Sequence, residues 1–91
     1  MSTAERRVTV CNARGLHARA AAKFVEMAQG FDAVVHVSRD GETVNADSIM
    51  ELLMLAASKG CEIDIRSDGS QAEEAIAALA ELVEAGFYET D

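Results

Sequence analysis

The pentapeptide Gly15-Leu16-His17-Ala18-Arg19 sets an imidazole two residues from a guanidinium, with a glycine two residues before the imidazole. Neutral imidazole is a nucleophile near pH 7, and the planar guanidinium fork matches the oxygens of a phosphate. Upstream, Arg7-Val8-Thr9-Val10-Cys11 alternates like a strand; downstream, Ala20 to Ala28 has helical spacing. A strand feeding a helix through a glycine-bearing loop leaves the loop residues at the helix N-terminus. Unpaired N–H groups and the positive end of the helix dipole meet there and favour an anion. A solvated helix cap is the plain alternative for a lone histidine; the glycine before it, the arginine after it and the long helix that follows weigh toward a reaction centre. The spacing suits a phosphoryl group held on His17, with Arg19 as its clamp.

The elements that position this loop follow from hydrophobic period and turn chemistry. The helix of residues 18–29 turns Ala21, Phe24, Val25 and Ala28 inward, and Gly30 stops it. Residues 33–38 alternate, Asp40-Gly41 signals a hairpin, and residues 42–45 return as a strand. Ser48-Ile49-Met50-Glu51 matches a capping box that opens an apolar helix expected to run to about Gly60. Residues 61–66 alternate again, with Cys61, Ile63 and Ile65 inward. Ser70-Gln71-Ala72-Glu73 matches a second capping box, and its helix buries Ala72, Ile76, Leu79, Leu82 and Val83 up to Gly86. The expected architecture is α+β: an open-faced βαββαβα sandwich whose four-stranded antiparallel sheet is covered on one face by three helices. Thr9, Val34, His36 and Asp64 fall on the uncovered face.

Ninety-one residues make one domain, residues 1–91, whose apolar fraction of 49% includes only 4% aromatics. The net charge of −8 argues against nucleic acid and anionic membrane surfaces. Its distribution is uneven. Residues 1–23 carry Arg6, Arg7, Arg14, Arg19 and Lys23 against Glu5 alone. Residues 70–91 carry Glu73, Glu74, Glu81, Glu84, Glu89 and Asp91 with no base. The end bearing His17 is thus locally positive. No apolar run is long enough for membrane insertion, and the N-terminus has no signal-peptide pattern, so a cytoplasmic location is expected. Cys11 and Cys61 lack CxxC spacing and read as reduced thiols, with no metal site and no cofactor.

Taken together, Gly15-Leu16-His17-Ala18-Arg19, Ala21-Ala22-Lys23-Phe24, Gly30-Phe31 and Ser48-Ile49-Met50 resemble the HPr family, from about residue 5 to 86. These are the histidine-containing phosphocarriers of the bacterial phosphoenolpyruvate-dependent phosphotransferase system. The resemblance implies that His17 accepts a phosphoryl group on Nδ1 from phospho-enzyme I and passes it to a histidine of an enzyme IIA. Arg19 and the N–H groups of Ala18 and Arg19 would bind the phosphate. The chain would then be a monomeric carrier, a substrate of partner enzymes and no enzyme itself. Within the family, a nitrogen-branch regulatory carrier is the alternative to a sugar-uptake carrier.

The family commonly has proline after the arginine. Here Ala20 stands in its place, which preserves a helix start and adds one N–H. Ser48 matches the serine that an HPr kinase/phosphorylase modifies in many relatives, although Ser is also a favoured helix cap. Ile49, Met50, Leu53 and Met54 exceed what one buried helix face needs, with Leu52, Leu55 and Ala56 left for the core, and suit docking on successive partners. An acylphosphatase-like hydrolase would need an arginine and an asparagine positioning water, and neither Asn12 nor Asn45 is suitably placed in the sequence.

Overall fold

The computed structural model describes residues 2–89. Four strands, β1 (Ser2–Thr9), β2 (Val34–Arg39), β3 (Glu42–Asn45) and β4 (Glu62–Gly69), form one antiparallel sheet in the order β1-β4-β2-β3. Three helices, α1 (Ala18–Gln29), α2 (Ile49–Met54) and α3 (Ala72–Glu84), complete the expected βαββαβα order.

Period-two alternation sends Val8, Val35, Val37, Ile63 and Ile65 into the core, while Thr9 and Val34 stay exposed on the opposite face. From the helices come Phe24, Val25, Leu52, Ile76, Leu79 and Val83, all buried. Burying such a side chain stabilises the fold by about 1.5–3 kcal/mol. The Asp40-Gly41 hairpin forms as expected, both residues having positive φ (49° and 84°).

Four boundaries and caps differ from the sequence reading, each because a tertiary contact prevails over local preference. The first strand begins at Ser2 and ends at Thr9, because its N-terminal half pairs with β4 as far as Ser2↔Gly69. The fourth strand runs three residues past Arg66 for the same reason. Helix α2 stops at Met54 instead of continuing toward Gly60. Its end tightens through Leu55 N–H to Leu52 O (3.2 Å) and Ala56 N–H to Leu53 O (3.1 Å), and Ala56 is left-handed (φ 51°). Arg39 donates to the Leu55 carbonyl at 2.9 Å, a cation at the helix C-terminus. Ala56 is exposed and so does not serve the core as expected.

The second capping box does not form. Ser70 Oγ donates to Asp32 Oδ2, and Gln71, the actual N-cap, accepts from Asp32 N–H at 2.7 Å and makes no side-chain cap. A loop-to-loop clip has taken the capping groups.

Candidate functional site

The chain leaves β1 at Thr9, and Val10 still pairs with Cys61 (N···O 2.8 Å). The loop then closes on itself through Gly15 N–H to Asn12 O, 3.1 Å, while Leu16 N–H donates to Ala57 O at 2.8 Å. Gly15 has φ +66°, and a Cβ there would sit 2.6 Å from Ala57 O and 2.8 Å from Ser58 Cα. Glycine is required on both counts, conformation and space. This contact also explains the short α2: the chain after it must turn so that Ala57 can meet Leu16.

With Leu16 buried as an anchor, His17 becomes the N-cap of α1. Its backbone is extended (φ −81°, ψ −178°), its carbonyl accepts from Ala21 N–H at 2.8 Å, and its Nδ1 accepts from Arg19 N–H at 3.3 Å. Nδ1 therefore presents its lone pair to the helix N-terminus. Ala18, Arg19 and Ala20 supply the N–H groups that precede the first intrahelical bond. Arg19 is exposed, and among the described residues no ion pair occupies its guanidinium.

The far side of the ring holds a contact the sequence reading missed. His17 Nε2 hydrogen-bonds the Glu89 carboxylate through Oε2, and Glu89 Oε1 accepts from Asn12 Nδ2 at 2.9 Å. Asn12 Nδ2 also donates to Gly15 O at 2.8 Å, which ties the carboxylate to the turn itself. The His17 and Glu89 side chains are only 24% and 12% exposed. Hydrogen bonds from Asn12 and then His17 hold the Glu89 carboxyl below the usual carboxylate range. In the sequence Glu89 is one acid of an acidic C-terminal segment, 72 residues from His17. No local pattern marks it.

What brings Glu89 there is the chain reversal after α3. Gly86, Phe87 and Tyr88 all have positive φ (64°, 56° and 58°), and the two non-glycine residues cost about 1–3 kcal/mol each. Complete burial of Phe87 and the 2.7 Å bond from Lys23 Nζ to its carbonyl offset that strain.

The basic cluster is only partly assembled at the site. Arg7 is engaged on the sheet by Asp64 (Nε···Oδ1 2.9 Å) and Lys23 by Phe87 O, whereas Arg19, two residues from His17, is exposed. Asp91 lies outside the described residues. Among the described residues, no group of three His, Cys, Asp or Glu is placed to hold a metal ion, and no helix is long and apolar enough to cross a membrane. Cys11 and Cys61 are free thiols.

Ser48 is the N-cap of α2, its Oγ accepting from Glu51 N–H at 3.2 Å. The reciprocal half of the box is absent, because Glu51 Oε1 accepts instead from Asn45 N–H, 3.2 Å away. Around it Ile49, Met50 (72%) and Met54 (65%) are exposed, Leu53 is half-buried against the core, and Leu52 and Leu55 are buried. Helix α2 packs on α1, the helix that His17 caps.

Comparison with known proteins places the sequence and the fold in one family. The family model for the PTS HPr component phosphorylation site matches residues 4–85. The chain is 43% identical over 88 residues to phosphocarrier protein NPr of Escherichia coli K12, covering 96% of this chain and 98% of that one. It is 46% identical over 83 residues to phosphocarrier protein HPr of Pseudomonas aeruginosa, with coverages of 90% and 92%. Among solved structures, HPr-C-His from Thermoanaerobacter tengcongensis superposes with a TM-score of 0.92 at 40% identity, covering 97% and 99% of the two chains. Phosphocarrier protein HPr from Bacillus anthracis gives 0.86 at 46% identity, covering 91% and 99%.

Proposed function

This chain belongs to the HPr family of phosphocarrier proteins of the phosphotransferase system, and from that premise we propose that His17 Nδ1 is its phosphoryl acceptor. One observation carries the assignment. Nδ1 accepts a hydrogen bond from Arg19 N–H, so its lone pair faces the positive end of α1. A phosphoryl group bonded there would exchange that contact for bonds from the Ala18 and Arg19 N–H groups to its oxygens, with Ala20 N–H beside them. The exposed Arg19 guanidinium would close over the group from solvent. A partly exposed site with one arginine holds the group moderately, as a carrier that must release it requires.

The donor in this reading is phospho-enzyme I and the acceptor a histidine of an enzyme IIA. The chain is a stoichiometric carrier and a monomer, not an enzyme. Ile49, Met50, Leu53 and Met54 form the docking patch, and Ser48 at its border is the site of regulatory phosphorylation by an HPr kinase/phosphorylase. Phosphoserine there adds roughly −1.5 to −2 charges beside that patch at neutral pH. The similarity to NPr supports a second reading, a nitrogen-branch carrier with no direct role in sugar uptake.

The test is phosphorylation by enzyme I and labelled phosphoenolpyruvate, followed by peptide mapping. Label should sit on His17, labile to acid and stable to base, and should pass to a sugar-specific or a nitrogen-type enzyme IIA according to branch. Label retained in His17→Ala refutes the assignment.

A further inference from the structure

Asn12 and Glu89 form a built arrangement around the nitrogen of His17 that does not face the helix. Asn12 is buried, and its Nδ2 spends both hydrogens, one on Gly15 O (2.8 Å) and one on Glu89 Oε1 (2.9 Å). Its Oδ1 is buried without a partner among the described residues, so the amide is oriented for its donors at the expense of its acceptor. Glu89 is held in turn by the left-handed run Gly86 to Tyr88, by Phe87 in the core and by Glu89 N–H to Gly86 O, 3.1 Å. The second carboxylate oxygen then meets His17 Nε2. The other charge bearing on this carboxylate is Lys23.

We propose that Glu89, oriented by Asn12, is a positioning residue for phosphoryl transfer at His17, an inference that rests on His17 being the acceptor. An ionised carboxylate can only accept, so Nε2 must carry the ring hydrogen; Arg19 N–H can only donate, so Nδ1 must carry the lone pair. The two contacts select one tautomer and one ring orientation between them. In the transfer step the Nδ1 lone pair forms a bond to phosphorus. The bond from phosphorus to the donor breaks, and its electron pair leaves with the donor atom. No proton leaves His17, so the ring becomes cationic with hydrogen still on Nε2. Glu89 faces that new positive charge, as the buried aspartate faces the imidazolium of a serine protease triad. The carboxylate therefore favours both the attack and the phosphorylated carrier, and its removal shifts the transfer equilibrium back toward the donor.

The experiment compares wild type with Glu89→Gln, which keeps size and a neutral acceptor, and with Glu89→Ala. Thermal melts establish that each is folded. Enzyme I kinetics, the equilibrium between phospho-donor and phospho-carrier, and ¹⁵N spectra of the His17 ring are then recorded. Both variants should lower the forward rate and the equilibrium phospho-carrier fraction, Glu89→Gln by ~10-fold in rate and Glu89→Ala by more, and should shift the Nε2 signal. Wild-type rates and equilibrium in folded Glu89→Gln overturn the proposal. So does slowed transfer with unaltered ring signals, which would make Glu89 a partner contact. Phosphorylation of His17→Ala would instead refute the acceptor assignment, so the two failures are separable.

Discussion

Two helix starts in this protein are capped by side chains of opposite chemistry. His17 caps the twelve-residue α1 with a ring nitrogen, and Ser48 caps the six-residue α2 with a hydroxyl. Both accept a hydrogen bond from the first helical turn, yet only the first is gripped from behind. The imidazole lies between Arg19 N–H and the Glu89 carboxylate, with Gly15 wedged against Ala57 and Ser58. Ser48 has Asp47 and Glu51 as close neighbours in sequence and an exposed apolar patch beside it. Three separate parts of the chain hold that imidazole in one orientation, which is what the acceptor role proposed for it requires. The regulatory role proposed for Ser48 asks only that its hydroxyl be reachable.

The comparison breaks most easily at His17. His17→Ala should lower phosphoryl acceptance on the order of 10³-fold or more while leaving a folded chain, measured by enzyme I assay and circular dichroism. Gly15→Ala attacks the same cap through the backbone. With φ +66° and a Cβ 2.6 Å from Ala57 O, it should destabilise the fold by roughly 2–4 kcal/mol in denaturant titration. Wild-type stability in that variant would show that the wedge is not needed.

Arg19→Lys keeps the charge but loses the planar fork, so transfer should slow about 10-fold with the melting temperature unchanged; Arg19→Glu should slow it further. Equal rates in all three proteins would remove the clamp. At the other helix start, Ser48→Ala should cost ~0.5–2 kcal/mol through the lost cap and leave transfer near wild type. Ser48→Asp should keep the cap and slow transfer through its charge near Met50 and Ile49. Wild-type enzyme I kinetics in Ser48→Asp would reduce Ser48 to a cap.

The smallest effect is in pH. Glu89 is held below the ordinary carboxylate value of 4.5, so the folded state favours its ionised form. That contribution is complete above the ordinary range and is lost as pH falls through the lowered value. Glu89→Gln should therefore flatten part of the stability loss below about pH 4.5 and leave stability at pH 7 and above with no further pH dependence from this group. A pH–stability curve identical to wild type in acid would contradict the shift.

Much of this was legible without coordinates, for definite reasons. Alternation of Val35 and Val37 with Val34 and His36, or the helical spacing of Phe24, Val25 and Ala28, is a consequence of backbone period and survives any tertiary detail. Gly15 through Arg19 is local too, because a helix start and its cap are made by neighbours in sequence. Where local preference and a distant contact competed, the contact won. The apolar stretch to Gly60 has helix-forming residues, yet it stops at Met54 because Ala57 must receive Leu16 N–H and Arg39 must reach Leu55 O. Ser70 sits where a cap belongs, yet it serves Asp32.

The sequence alone determined the four-strand, three-helix order and the pairing of His17 with Arg19 at a helix start, since each is written in residue type and spacing over a few positions. Only the tertiary structure decided what stands behind the imidazole. Glu89 reaches His17 across 72 residues through three left-handed residues and a buried phenylalanine. That path depends on packing energy offsetting backbone strain, and no short-range pattern encodes such a balance.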